Sequence, residues 1–243
     1  MNQALQRRPD GFLERGHQVT RLESFVDASF AFAVTLLVIS LNGLPDSPEA
    51  LIQALKRIPS FAGSFAAIAM FWYDHNVWSR RFGLDDTRSI VLSLLLVFMV
   101  LVYVYPLRIL FASLFSWLSN GWFPSEFRIR SLDDLRLMFS VYGLAFGSMG
   151  VVITALEANA LRLRASIGLD RLEEILLRRQ IYASMFMPVV AVISLAVTAS
   201  VDEAWPRWAY GMPGMVYCLM GFTGLARRYR ADEANALRQA PAR

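Results

Sequence analysis

The stretch RLESFVDASFAFAVTLLVISL, residues 21–41, decides the fold class of this chain. Its first seven residues include three ionisable groups, Arg21, Glu23 and Asp27, and no further charge follows in the stretch. A helix that crosses the roughly 30 Å hydrocarbon core of a bilayer needs about 20 mostly apolar residues. The stretch therefore predicts a transmembrane helix whose first two turns carry charges and lie at one membrane surface.

The composition extends this interpretation to the whole chain. Of 243 residues, 56% are hydrophobic and 18% are charged, and the mean hydropathy of +0.41 is too high for an ordinary soluble domain. We expect an all-α, polytopic membrane protein in which residues 1–243 form a single six-helix transmembrane domain without an internal repeat. The predicted spans are Phe25–Leu44, Ile58–Trp78, Ser89–Leu118, Leu137–Leu156, Gln180–Val201 and Trp208–Ala226.

The third span contains Pro106 and Arg108, which predict a kinked or broken helix. Arginines are concentrated before the first span, after the second, after the fourth and after the sixth, whereas the alternate loops are poorer in them. The positive-inside bias therefore predicts that both termini, each a short segment, are cytoplasmic. This distribution also explains the sequence pI of about 9.5 without nucleic-acid binding.

One face of the first helix carries a stripe of residues that recur at alternating steps of four and three. Its members are Arg21, Phe25, Ala28, Phe32, Thr35, Ile39 and Asn42. At about 100° per residue they lie on one side of a helix. The stripe is either a packing seam against a neighbouring helix or a pore lining in which Phe32 and Ile39 narrow a path and Thr35 offers an oxygen to an ion. The periodicity is the same in both cases.

Asp27 lies about 110° away from this stripe, so we expect it to face a neighbouring helix. The second helix returns antiparallel, which brings Trp72 and His75 to the depth of Arg21 and Asp27. Polar groups at the membrane edge should pair, because an isolated charge there is costly. A structural network is favoured over a gating or pH-sensing role, and a single histidine beside carboxylates predicts neither a metal site nor catalysis.

These residues also carry a resemblance to a known family. RLESFVD resembles the R-x-x-x-F-S-D signature that opens the first helix of the transmembrane protein 175 family of potassium channels. FAFAVTLLVISL (30–41), FWYDHN (71–76) and LSLLLVFMVLVYVYP (92–106) resemble three further segments of that family. The resemblance covers about the first half of the chain. Val26 replaces the family's serine, Ser93 its usual asparagine, and Tyr105-Pro106-Leu107 its Phe-Pro-Thr.

The resemblance implies a homotetramer around a central axis in the lipid bilayer of a bacterial cytoplasmic membrane. It implies a pore lined by four copies of the first helix that passes K⁺ in preference to Na⁺, with no cofactor beyond the permeant ions. Carried onto this sequence, Phe32 forms the constriction, Thr35 is the threonine of the motif, and Ile39 lies one turn further out. The residues implied for the structural network are Arg21, Phe25, Asp27, Trp72 and His75.

Other function classes make different demands on the sequence. A secondary transporter more often shows a charge near the middle of the bilayer or paired broken helices in two repeats. A membrane enzyme needs clustered catalytic groups, so we expect none here. A non-conducting scaffold fits Gly143, Gly147 and Gly150, which permit close helix packing. Together with the stripe on the first helix, the resemblance therefore implies a potassium-selective channel, with a non-conducting scaffold as the main alternative and a proton-coupled transporter after it.

Overall fold

In the computed structural model, the regular secondary structure of the described residues is helical, with α-helices and short 3-10 stretches. The structure describes residues 7–39, 45–125, 127 and 129–220. The helices are α1 (Arg21–Ile39), α2 (Pro48–Leu55), α3 (Ile58–Phe82), α4 (Thr87–Leu118), α5 (Leu132–Arg162), α6 (Arg171–Ser200) and α7 (Met212–Met215). The 3-10 helix, Arg207–Gly211, directly precedes α7. The all-α fold class is therefore confirmed.

Four of these helices, α1, α4, α5 and α6, are long and apolar enough to cross a membrane. Helix α3 has 25 residues but carries polar groups in its last turns, including Asp74, His75 and Arg80, and these lower its hydropathy. The sixth predicted span begins in the 3-10 helix and α7, and its residues 221–226 lie outside the described residues. Residues 40–44 of the first predicted span also lie outside them. The number of six membrane-spanning helices stays a prediction.

Successive long helices alternate in direction, so the polar side chains gather at one end of the bundle. We call this the polar end: it comprises the segment 7–20, the first turns of α1, α4 and α6, and the last turns of α3 and α5. Helix α1 contacts α3 and α4, and α5 packs between α4 and α6. One apolar core runs through these contacts and includes Phe30 of α1, Phe71 of α3, Leu96 of α4 and Leu156 of α5.

Local capping signals set the helix boundaries at the polar end. Gly83 ends α3 in a left-handed conformation with φ +55°, and its N–H donates to the Ser79 carbonyl at 2.8 Å. Asp86 then caps the start of α4, three residues later. Asp170 and Glu173 form a capping box at the start of α6, each side chain accepting from the other's backbone N–H. These caps end and begin the helices at the polar end, where the connecting segments lie close to one another.

Helix α4 continues through Pro106 as one helix of 32 residues. Of the kinked or broken helix that the sequence predicts, the break is therefore wrong, and the kink stays a prediction. Proline removes one intrahelical hydrogen bond, but packing against neighbouring helices makes proline tolerable in membrane helices. Pro106 lines a small apolar cavity together with Phe71 of α3 and Tyr142 of α5, so both neighbours support α4 at this level.

Gly143, Gly147 and Gly150 of α5 allow this helix to approach α6 closely. A Cβ added at Gly143 would lie 2.9 Å from the Leu195 side chain, and one added at Gly147 would lie 2.9 Å from the Ala191 Cβ. Ala191 belongs to the opposite helix and is itself buried, so it has little room to move. The close contact of these two helices depends on the missing side chains.

We therefore predict that Gly147→Val lowers the thermal stability of the purified protein. The added carbons must push α6 away, and overpacking of this kind typically costs about 1–3 kcal/mol. Ala158→Val, on an exposed position of the same helix, is the matched control and should unfold at the wild-type temperature. Equal melting temperatures for the two variants in detergent would contradict the close packing of α5 on α6.

Candidate functional site

Helix α1 presents two faces with opposite surroundings. Glu23, Val26, Phe30, Ala33 and Leu37 are buried in the contact with α3 and α4. The stripe from the sequence lies on the other face: 54% of Phe25, 56% of Phe32 and 68% of Ile39 is exposed, and Arg21, Ala28 and Thr35 are exposed as well. The seventh member of the stripe, Asn42, lies outside the described residues. Among the described residues of one copy, therefore, the stripe is not a packing seam.

The stripe combines apolar bulk with one hydroxyl group. Thr35 donates from its Oγ1 to the Ala31 carbonyl at 3.0 Å, which fixes the side chain and leaves the oxygen lone pairs available. Phe32 and Ile39 lie about one turn to either side of it on the same face. Bulky apolar groups exclude water from a narrow path, and a hydroxyl oxygen can replace part of the hydration shell of a cation.

Asp27 points away from the stripe and contacts helix α3. The indole Nε1 of Trp72 donates to its Oδ1 at 2.8 Å. Both residues are partly exposed, so this bond joins the edges of α1 and α3 without being sealed in the core. A hydrogen bond thus joins two of the five residues predicted for a network.

His75 forms its hydrogen bond with a residue outside the predicted network. Its ring is buried, and Nε2 lies 2.9 Å from the Oγ of Ser93, a fully buried residue of α4. The neighbouring ring of Trp78 lies 5.6 Å from it, and the Trp78 indole donates to the Leu156 carbonyl of α5 at 3.0 Å. His75 and Trp78 therefore tie α3 to α4 and α5.

Arg21 and Phe25 lie apart from this network. Arg21 is exposed and makes no hydrogen bond or ion pair to another described residue. It belongs to the exposed stripe, so its side chain starts on the side of α1 that faces away from α3. Glu23, in the first turn of α1, does have a basic partner. Its buried carboxylate lies 3.6 Å from the Nε of Arg80.

A second polar cluster joins the start of α4 to the end of α5. The amide of Asn159 donates to Asp86 at 3.1 and 3.2 Å and to Ser89 at 3.1 Å, and Ser89 donates to Asp86 at 2.6 Å. Burial raises the pKa of Asp86, but hydrogen bonds from Ser89, Asn159 and the Arg88 backbone outweigh it and hold that pKa below its ordinary value. Asp86 therefore stays ionised at neutral pH and keeps both helix ends in place.

Two buried acids escaped the sequence interpretation. Glu157 of α5 accepts a hydrogen bond from Ser184 of α6 at 3.0 Å, and Glu173 is fully buried at the start of α6. Signals for both were present, because Glu157 continues the 4-3-4-3 spacing from Gly143, and Asp170-x-x-Glu173 is a capping-box pattern. Within the described part of the chain, no group of three or more His, Cys, Asp or Glu side chains is placed to hold a metal ion.

Comparison with known proteins agrees with this architecture. The model of a family described as endosomal/lysosomal potassium channel TMEM175 matches residues 21–106. A protein named potassium channel from Marivirga tractuosa is 34% identical over 193 residues, which are 77% of this chain and 77% of that protein.

Solved structures show the same relationship. A crystal structure of the potassium channel MtTMEM175, a threonine-to-alanine variant bound to a nanobody–MBP fusion protein, superposes with a TM-score of 0.79 and 28% identity, over 93% of this chain and 98% of that one. A lysosomal potassium-selective channel TMEM175 homolog from Chamaesiphon minutus shares the fold with a TM-score of 0.55 and 21% identity, over 86% of this chain and 97% of that one.

The family match, the curated relative and the shared fold therefore identify a membrane ion channel and not an enzyme. More specifically, the chain belongs to the TMEM175 family of potassium channels.

The pairing of His75 with Ser93 makes a stability prediction. Ser93→Ala leaves a buried ring nitrogen without its partner, which typically costs about 1–3 kcal/mol, so the melting temperature should fall. Ser24→Ala removes an exposed hydroxyl and serves as the control. If both variants unfold at the wild-type temperature, His75 finds its partner elsewhere.

The contact between Asp27 and Trp72 makes a second prediction. Asp27→Ala and Trp72→Phe each remove one partner of the same bond, so both should lower thermal stability by a similar, modest amount, about 1–2 kcal/mol. Neither should alter the ratio of K⁺ to Na⁺ permeability, because Asp27 lies off the exposed stripe. A variant that assembled normally but lost its preference for K⁺ would move Asp27 into the ion path.

Proposed function

We propose that four copies of this chain form a potassium-selective channel whose pore is lined by α1, with the polar end on the cytoplasmic side of a bacterial inner membrane. The observation that carries the proposal is the exposure of Phe25, Phe32 and Ile39 on a helix whose opposite face is buried. Membership of a family of potassium channels and the names of the relatives support the choice of ion.

The geometry of α1 favours a shared pore over a path within one protomer. The stripe belongs to one helix, and a single helix cannot enclose a path. Copies related by a closed rotation bring the same stripe to a common axis, which is the ordinary way in which cyclic oligomers close. Four copies are what the family resemblance implies.

Along the proposed pore, the stripe orders the side chains from the polar end outward. Arg21 and Phe25 lie at the entrance, Phe32 follows two turns later, and Thr35 lies about 4.5 Å further along the axis. Four Phe32 rings around an axis would form a hydrophobic constriction that resists wetting. Thr35 would then supply a ring of hydroxyl oxygens directly beyond it.

The proposed selectivity does not rely on a ring of carboxylates. Asp27 is turned toward α3 and bonded to Trp72, so it lies off the stripe. Beyond Arg21, the described members of the stripe are uncharged. The width of the pore and the Thr35 oxygens must therefore distinguish K⁺ from Na⁺.

The proposal is tested by the reversal potential of purified protein in planar bilayers under opposing K⁺ and Na⁺ gradients, with native mass spectrometry of the same preparation. We expect a reversal potential close to the K⁺ equilibrium value and a predominant tetramer. A tetramer that passes no current at any voltage or pH would favour the non-conducting scaffold. A stable monomer or dimer in lipid would remove the shared pore.

The constriction makes a sharper prediction at Phe32. Phe32→Ala should raise the unitary conductance and weaken discrimination between K⁺ and Na⁺, because a smaller side chain lets the path wet. Thr35→Val keeps the size and deletes the hydroxyl, so it should change ion preference more than conductance. Both are measured by single-channel recording.

The control for Phe32 is Phe98 of α4, whose side chain is exposed to nearly the same extent, 59%. Phe98→Ala should leave conductance and ion preference unchanged. If instead Phe32 is a packing residue between copies, its truncation leaves a cavity worth about 3–5 kcal/mol. An unchanged current per channel with a large loss of tetramer would therefore overturn the constriction.

A further inference from the structure

The segment 7–20, which we call the N-terminal arm, is held between α3 and α6. Its Arg15 side chain is nearly buried and donates to both carboxylate oxygens of Glu173, at 2.8 Å each. The same guanidinium donates to the carbonyls of Ile167 at 2.8 Å and Gly168 at 3.0 Å. Arginine thus uses its planar fork on one buried carboxylate and the turn beside it.

The backbone of the arm is bound at the same place. The Leu13 N–H donates to Glu173 Oε1 at 2.7 Å, while Glu173 Oε2 accepts from the Asp170 N–H at 3.0 Å in the capping box. Arg7, at the start of the arm, forms an ion pair with Asp170. Burial raises the pKa of Asp170, but the hydrogen bonds from Arg7 and from the backbone outweigh burial and hold that pKa below its ordinary value. The pair is therefore charged at neutral pH. Both members of the α6 cap therefore bind the arm.

The opposite side of the arm is fixed to the end of α3. Phe12 is buried edge-on against Phe82, with the ring centroids 5.8 Å apart, and the Arg81 guanidinium lies 4.3 Å from the Phe12 centroid. The N–H groups of Arg15 and Gly16 both donate to the Arg80 carbonyl, at 3.2 and 3.1 Å.

The anchored arm limits the position of α1 because the chain between the arm's anchored residues and α1 is short. Residues 17–20 separate Gly16 from the first residue of α1, so the anchored end of the arm limits where α1 can begin. The contact of Glu23 with Arg80 then continues the connection into the first turns of α1.

We propose that Arg15 and Glu173 are positioning residues that hold the N-terminal arm on α3 and α6 and thereby fix the entrance end of α1, which sets the open probability of the channel. They act through the position of α1 and do not touch the permeant ion. The part of this proposal that concerns open probability rests on the proposed channel function.

The test uses Glu173→Gln in the full-length protein. Glutamine keeps the shape of the side chain and one acceptor oxygen for the cap. It removes the charge and replaces the other oxygen with an NH2 donor, so the two-oxygen contact with Arg15 is lost. Arg15→Lys, which keeps the charge and loses the fork, is the second variant. Glu174→Gln is the matched control, because it removes the same charge one residue later from an ion pair within α6, with Arg178.

Hydrogen exchange tests the anchoring without reference to ion flow. In Glu173→Gln and Arg15→Lys, the amides of Arg15 and Gly16 should exchange about tenfold faster than in the wild type, with α5 peptides unchanged. Glu174→Gln should match the wild type. Wild-type protection of the arm in both test variants would overturn the proposal.

Single-channel recording tests the consequence for α1. A loosened arm lets the entrance end of α1 leave its place in the ring, so open probability should fall about threefold in both variants while unitary conductance and reversal potential stay unchanged. A purely structural role would lower protein yield and leave the open probability of surviving channels unchanged, and that result would overturn the positioning role. A wild-type protein without current would overturn the channel function itself, and the exchange comparison would still decide the anchoring.

Discussion

The burial of one face of α1 between α3 and α4 is the constraint on which the rest of the structure depends. Val26, Phe30 and Leu37 fill this contact, and the opposite face is exposed among the described residues of the same copy. Phe32 and Thr35 lie on that exposed face, where they are available to contact other copies of the chain or an ion. A pore on this face also accounts for the hydroxyl of Thr35 among apolar neighbours.

Three carboxylates at the polar end, two of them buried and one half-buried, each meet a partner. Glu173 binds Arg15, Glu23 lies beside Arg80, and Asp86 receives hydrogen bonds from Asn159. An uncompensated charge in this position would be expensive, and pairing also imposes specific geometry. The same contacts therefore hold the helix ends together and connect the N-terminal arm to α1.

Patterns that act within one helix could be predicted from the sequence, and contacts between distant segments could not. The stripe on α1 and the direction of Asp27 follow from the period of the helix alone. The bond of His75 to Ser93 depends on the relative position of α3 and α4 along their axes, and no local sequence pattern predicts that position. Arg15 and Glu173 are 158 positions apart, and the continuity of α4 through Pro106 reflects packing by its neighbours.

The central claim is that the exposed stripe of α1 faces the ion path, and cysteine accessibility tests it most directly. Single cysteines at the two faces of α1 are introduced after replacing the exposed Cys218 with serine, and current is recorded while a charged thiol reagent is applied. We predict rapid block at Thr35 and Ile39 and none at the buried positions Ala33 and Leu37. Block that follows the buried face, or that is equal on both faces, would contradict the account.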